Sequence, residues 1–263
     1  MVLAYNRVDL LRQCLENVAL RTSPRTREIL VWDNASSDGT ADYLATLTDD
    51  RLRVVRHRRN IGLNGYARAF PLTGAPYLVV LDEDVIDAPP GWDERLLEAF
   101  LRLPDVGFLA TNQVDDERSL CARIMHHDDR ERYEHRRVNG VSLMEGPVGG
   151  WCAMTSRRLH DRVGGFPSHR RQVFFHFDSE YIGAIEGAGF RAAILEDLAV
   201  FHASGPEFSP FFAEKDRFYA TLARARARRD AVKRVVLAVP PARRLNERHG
   251  WFEPPASGGR GQR

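Results

Sequence analysis

Residues 76–84, Pro-Tyr-Leu-Val-Val-Leu-Asp-Glu-Asp, constrain this chain more than any other stretch. Tyr77 to Leu81 form a short, continuous apolar run. Such a run, rich in β-branched and aromatic residues, reads as a strand buried on both faces. It stops at three successive carboxylates, Asp82, Glu83 and Asp84. Crowded acids repel one another, and a cation or hydrogen-bond donors relieve the repulsion. In an open α/β sheet, ligands bind beyond the carboxyl ends of the strands. The acids therefore stand where a ligand would stand. Alone, the tripeptide reads equally as a turn and helix cap, where Asp is common. The rest of the chain decides between the two.

Upstream, a strand is predicted from Met1 to Ala4, ending in Tyr5-Asn6-Arg7. Leu10, Leu11, Cys14, Leu15 and Val18 then fall on one helical face. Glu28–Trp32 reads as a second strand, followed by Asp33-Asn34-Ala35-Ser36-Ser37-Asp38-Gly39-Thr40, dense in turn and cap residues. A helix to about Leu47, a strand over Leu52–Arg56, the loop Asn60-Ile61-Gly62-Leu63-Asn64-Gly65 and a short helix through Arg68 and Phe70 follow. This β-α-β-α-β-α-β order predicts a doubly wound, mostly parallel sheet with helices on both faces. Each loop of unusual chemistry follows a strand's carboxyl end: Tyr5–Arg7, Asp33–Asn34, Asn60–Gly62 and Asp82–Asp84. Four polar loops on one rim favour a ligand site over four coincidental turns.

Further on, Trp92–Arg102 is predicted helical and Val106–Ala110 a strand. Gln113 to Glu145 is charged and weakly periodic, and reads as a solvated insertion bordering a second substrate. Its His126-His127-Asp128-Asp129 run resembles a metal cluster, but adjacent side chains point apart in a strand or helix. Gly149 to Met154 returns to strand, and Asp178 is expected to cap a helix reaching Ala188 and ended by Gly189. Phe190–Leu195 and Ala199–His202 read as separate extended segments.

The 263 residues suit one large or two small domains, and 43% hydrophobic content fills a sizeable core. A net charge of +2 names no partner, and no nucleic acid is expected. Cys14, Cys121 and Cys152 have no metal-ligand or disulfide spacing, which fits a reducing cytoplasm. There is neither a bilayer-length apolar stretch nor a signal-peptide pattern. Glu214 to Arg234 carries Arg217, Arg224, Arg226, Arg228, Arg229, Lys233 and Arg234, and reads as a helix with a solvated arginine face. A second reading gives that helix a peripheral contact with the inner face of the membrane. The organisation expected is one large domain over 1–205, with an N-terminal half over 1–110 and a second half over 111–205, then a basic helical extension over 206–250 and a disordered tail over 251–263.

Taken together, these segments resemble the family 2 glycosyltransferases with the GT-A fold. The matching elements are Ala4-Tyr5-Asn6-Arg7, Val31 to Thr40, Asn60-Ile61-Gly62 with Ala67-Arg68, Leu81-Asp82-Glu83-Asp84, Gly164-Gly165-Phe166 and Asp178-Ser179-Glu180 with Ala188-Gly189-Phe190-Arg191. The likeness runs from about Met1 to His202, and its order and spacing are more specific than any one motif. Here the first strand begins at Met1; either it is short or the start codon is misassigned.

The resemblance implies an inverting transfer of a sugar from a nucleotide diphosphate donor to a hydroxyl of a glycan, lipid-linked glycan or small natural product. It implies Mn²⁺ or Mg²⁺ held by Asp84, with Asp82 reaching the metal through water or bonding the ribose. It places Tyr5, Asn6, Arg7, Asp33, Asn60, Gly62, Arg68 and Asp82 at the donor. Asp178 falls on the general-base position and Glu180 on a nearby second acid on the acceptor side. The family's usual Glu-Asp pair reads Phe177-Asp178 here. His202 is either a third metal ligand or a structural histidine, and Trp151 either an acceptor platform or a core aromatic. The competing class is a non-catalytic sugar-binding descendant of the same fold. A sugar nucleotidyltransferase or a nicotinamide enzyme needs a glycine-rich loop after the first strand, and Ala4-Tyr5-Asn6-Arg7 has no glycine.

Overall fold

The computed structural model describes residues 1–170, 172–173, 175–209, 212–239 and 241. The strands are β1 (Val2–Ala4), β2 (Ile29–Asp33), β3 (Leu52–Arg56), β4 (Tyr77–Asp82), β5 (Val85–Asp87), β6 (Val106–Gln113), β7 (Glu134–Val138), β8 (Val141–Glu145), β9 (Cys152–Ser156) and β10 (Arg191–His202). The helices are α1 (Val8–Cys14), α2 (Thr40–Ala45), α3 (Asn64–Ala69), α4 (Trp92–Leu101), α5 (Leu120–Arg123), α6 (Arg157–Arg162), α7 (Phe177–Gly187) and α8 (Phe212–Ala238).

The strand order is β3-β2-β1-β4-β9-β6-β10-β8-β7, with β5 pairing to β10. The first four strands are mutually parallel, as the crossover pattern predicts. Every residue of β2 is buried, as expected for a strand covered on both faces. Leu11, Leu15 and Val18, predicted on one helical face, are fully buried in the core that also holds Val31 of β2. Each such side chain contributes about 1.5–3 kcal/mol.

Register places the site. Ala4 aligns with Asp33, Leu3 with Asp82 and Asp33 with Arg56, so β1 to β4 end together on one rim. β9 runs antiparallel to β4, pairing Leu81 with Cys152, and its neighbour Trp151 accepts the Asp82 amide at 2.8 Å. β10 meets β5 antiparallel, His202 opposite Val85, and the Ala203 amide donates to the Asp84 carbonyl at 2.7 Å. His202 thus reaches the acids from a strand over a hundred residues later in the chain.

Three expectations need correction. The stretch over 113–145 is not one solvated loop: it holds the end of β6, α5 and the β7–β8 hairpin. The hairpin turn is Asn139-Gly140, both at positive φ (50° and 79°), the geometry of a two-residue primed turn. Asp178 is not a helix cap. α7 begins at Phe177, its N-cap is His176, and no side chain caps it. The last two predicted extended segments are one strand, β10, whose register shifts between Leu195 and Ala199.

Chain contacts separate Met1–Pro210 from Phe211–Arg263. Taken by itself, the second unit carries α8, whose Arg224, Arg228, Arg229 and Arg234 are exposed. Residues 242–250 of the predicted extension and the predicted tail 251–263 lie outside the described residues. No helix among the described residues is long and apolar enough to cross a membrane.

Candidate active site

The three acids at the end of β4 diverge. Asp82 Oδ1 accepts the Tyr66 hydroxyl at 2.9 Å. Glu83 turns inward, 3% exposed, and accepts the Tyr5 amide at 3.2 and 3.3 Å on its two oxygens. Arg7 bridges Glu83 Oε1 at 2.8 Å and Asp84 Oδ2 at 2.7 Å. Asp84, 9% exposed, has the His202 imidazole on its other oxygen, Nε2 to Oδ1 at 3.2 Å. Arg7, read from sequence as a donor contact, here braces the acidic corner through these two ion pairs. Removing it leaves buried carboxylates uncompensated, a cost on the order of 3–5 kcal/mol.

The electrostatics follow from burial and pairing. Burial pushes the Glu83 carboxyl up to about 7, against the pull of Arg7. Burial alone lowers the His202 imidazole, yet the Asp84 carboxylate holds it up at about 10. The Tyr66 phenol is raised by burial, then by Asp82, and feels Asp178 and Asp84 as well. Its hydroxyl thus lies within the field of both the β4 acids and the first turn of α7.

Asp82, Asp84 and His202 each offer one ligand atom, and these atoms lie within 4.8 Å of one another. Two carboxylates and an imidazole make a mixed O/N donor set, buried on one side and open at Asp82. Carboxylate oxygen suits a hard divalent cation, and the His202 imidazole can join as a ligand once it gives up the proton that Asp84 otherwise holds on it. The residues present therefore fit the ion that the resemblance implies. His126 and His127, by contrast, turn apart to Gln113 O and Asp115 Oδ1 at 2.8 and 2.7 Å.

The other rim loops are cross-tied. Asn6, at φ 51°, donates its amide to Ser36 Oγ at 3.0 Å and accepts the Ser37 amide at 2.7 Å. Asp33 is fully buried; Oδ1 takes the Ser36 amide at 2.9 Å and Arg56 Nε lies 3.6 Å from Oδ2. Asn60 Oδ1 closes a turn on the Gly62 amide at 2.7 Å. Gly62, at φ 58°, has no room for a Cβ because the Val173 backbone occupies the space. Arg68 is exposed and makes no hydrogen bond or ion pair among the described residues.

Asp178 and Glu180, two residues apart on α7, face different ways, as helical spacing requires. Asp178 lies over Gly149-Gly150: a Cβ on Gly150 would come 2.6 Å from Asp178 Oδ1. Glu180 turns to His169, Oε2 to Nε2 at 2.7 Å. Trp151, named from sequence as an acceptor platform or a core aromatic, is 7% exposed. It gives its indole N–H to Thr111 O at 3.0 Å and stacks on the His202 ring at 6.2 Å. Its observed contacts are those of a buried support for His202.

Sequence reasoning gave no role of their own to the side chains of Asn34, Asn64 and Tyr66. Asn34 donates to Gly62 O at 3.0 Å and accepts Trp32 Nε1 at 3.1 Å, joining β2 to the next rim loop. Tyr66 stacks on Phe177 at 4.7 Å besides bonding Asp82.

A family model described as glycosyl transferase family 2 matches residues 1–164. No curated protein matches the chain. Among solved structures, the mannosyltransferase PcManGT from Pyrobaculum calidifontis, in complex with GDP-Man and Mn²⁺, is 20% identical with a TM-score of 0.55, over 95% of this chain and 82% of that one. TarS 1–349 from S. aureus is 16% identical with a TM-score of 0.53, over 78% and 60%. GalNAc-T7, with UDP, GalNAc and Mn²⁺, is 12% identical with a TM-score of 0.54, over 76% and 42%. The chain thus spans less than two thirds of the last two. Identities this low show the fold, which is GT-A.

Proposed function

The chain belongs to glycosyl transferase family 2, and from that premise we propose that it transfers a sugar, with inversion, from a nucleotide diphosphate donor to an acceptor hydroxyl. The observation that carries this reading is the meeting of Asp82, Asp84 and His202 within 4.8 Å at the end of β4. Tyr66 links that cluster to the helix bearing Asp178. The donors GDP-Man and UDP-GlcNAc, and Mn²⁺, occur with proteins of similar fold, which supports a donor and an ion of those kinds.

Asp82, Asp84 and His202 would hold Mn²⁺ or Mg²⁺, which neutralises the donor's diphosphate and stabilises it as a leaving group. Tyr5, Asn6, Asp33, Asn60, Gly62 and Arg68 line the donor side, with Asp33 meeting the base or ribose. Asp82 and Arg7 belong to the donor side as well, Arg7 beside Asp84, and Trp151 borders the acceptor from beneath His202. Asp178 takes the proton of the acceptor hydroxyl. The freed oxygen forms its bond to the anomeric carbon on the face opposite the diphosphate, and the bond to the diphosphate breaks. Glu180 borders the acceptor beside His169. The acceptor is a glycan, a lipid-linked glycan or a small hydroxylated product.

Three free cysteines favour the cytoplasm. The exposed arginines of α8 favour a peripheral contact with an anionic membrane face.

The test is a thermal-shift panel of UDP, GDP, CDP and ADP, each with Mn²⁺ and with chelator. A ligand at a hundredfold excess over Kd stabilises the folded state by about 2.7 kcal/mol. At least one nucleotide should raise Tm in Mn²⁺ and lose that effect with chelator. Its sugar conjugate should then be hydrolysed slowly by water. No shift with any nucleotide contradicts the reading, and binding without turnover points to the non-catalytic descendant.

A further inference from the structure

Asn64, the first residue of α3, is 8% exposed, and its side chain makes four hydrogen bonds. Nδ2 donates to Ile61 O at 2.9 Å and to Gln172 O at 2.8 Å. Oδ1 accepts from Ser168 Oγ at 3.0 Å and from the His169 amide at 2.6 Å. That is the full capacity of a carboxamide: two donors and two acceptors. Ile61 lies on the rim loop Asn60–Gly62. Ser168, His169 and Gln172 lie on the segment that leads into α7.

The two segments are in backbone contact there. The Leu63 amide donates to Val173 O at 2.9 Å, and the Val173 backbone fills the space above Gly62. The same segment sets Glu180, because His169 Nε2 lies 2.7 Å from Glu180 Oε2 and the His169 ring packs edge-on against Phe175 at 4.5 Å. Two residues along, Tyr66 stacks on Phe177, the residue before Asp178. A core needs no buried carboxamide to join two loops, since apolar contacts do so without the desolvation cost. A group that fixes four partners at once sets their geometry.

We propose that Asn64 is a positioning residue that ties the donor-side loop to the segment placing α7, so that donor binding and orientation of Asp178 are one event. The proposal rests on the glycosyltransferase reading above. It requires that occupancy of the donor side be felt at His169 through Asn64.

The test uses the full chain and the nucleotide diphosphate (UDP or GDP) that binds in Mn²⁺. Hydrogen exchange is followed in the peptide spanning 166–170, with and without nucleotide, in the wild type, Asn64→Ala and Ser168→Ala. In the wild type, nucleotide should slow exchange there by roughly tenfold or more. In Asn64→Ala the slowing should vanish while nucleotide Kd stays within about threefold, and kcat for hydrolysis of the matching nucleotide sugar should fall by roughly tenfold. Ser168→Ala removes one of the four bonds from an exposed position, so it reports even if Asn64→Ala fails to fold; its loss should be partial and of the same kind. Equal protection in wild type and variants overturns the proposal alone. So does a loss of nucleotide affinity in step with protection, which would place Asn64 in the donor site. No nucleotide binding by the wild type overturns the glycosyltransferase reading and this proposal with it.

Discussion

On the β1–β4 side of the rim, Glu83 and Asp84 are buried and each is held from more than one direction, whereas on the α7 side Glu180 is exposed to solvent and Asp178 is half-buried. Glu83 is gripped by the Tyr5 amide and Arg7, and Asp84 by Arg7 and His202. Glu180 has His169, in a pair whose side chains are 40% and 36% exposed. Asp178 is half-buried and its carboxylate lies against the Gly149-Gly150 turn. The difference follows from the work proposed for each side. A diphosphate and a cation demand charges already oriented, since reorganising them during reaction raises the barrier. An acceptor must enter and leave, so its side stays accessible.

The comparison is tested hardest at Asp178. Asp178→Asn keeps shape but cannot take a proton. It should lower turnover of a nucleotide sugar by about 10²-fold or more, with Mn²⁺-dependent nucleotide affinity unchanged by calorimetry. If affinity falls with turnover, Asp178 belongs to the donor side and the division between the two sides is lost.

A smaller effect is expected from Gly150→Ala. The added methyl meets Asp178 Oδ1 at 2.6 Å and must push it aside. Turnover should fall roughly tenfold, again with affinity preserved, as steady-state kinetics beside nucleotide titration would establish. Unchanged turnover would mean that the carboxylate has slack at this contact.

The smallest effect at neutral pH lies beneath α7, where His160 Nδ1 bonds the Tyr181 hydroxyl at 3.0 Å. Burial, aided by Arg157, lowers the His160 imidazole from 6.5 to about 4. The neutral ring's contribution is intact above pH 6.5 and is lost as pH falls towards 4, because the unfolded chain takes the proton first. The loss should reach about 3 kcal/mol. Urea unfolding at pH 7.5, 5.5 and 4.5 should show this slope in the wild type and a flatter one in His160→Gln. Identical slopes would show that His160 is not the group responsible.

The parallel half of the fold was legible because its strands are apolar runs and its loops carry their chemistry directly after them. Asp33, Asn60 and Asp82 could be located from order alone. The β7–β8 hairpin was not, because Glu134 to Arg137 are all exposed and carry no apolar alternation; only Asn139-Gly140 marked it. His202 was placed near the acids by the family resemblance alone, since its approach to Asp84 depends on an antiparallel pairing remote in sequence. The roles of the Asn34, Asn64 and Tyr66 side chains were missed for another reason. Their part is to join segments, and a hydrogen-bonding side chain's partner is invisible until the fold brings it near. Glu83 looked like a third site acid, and only its burial shows that it faces inward.

The most direct test is a Mn²⁺ titration followed by electron paramagnetic resonance, with nucleotide diphosphate present, on the wild type and on Asp84→Ala. The wild type should bind Mn²⁺ tightly with a ratio of about one per chain, as one ligand cluster implies, and Asp84→Ala should lose that binding while keeping its circular dichroism spectrum. Equal Mn²⁺ binding by both proteins would contradict the assignment of the ion to Asp82, Asp84 and His202.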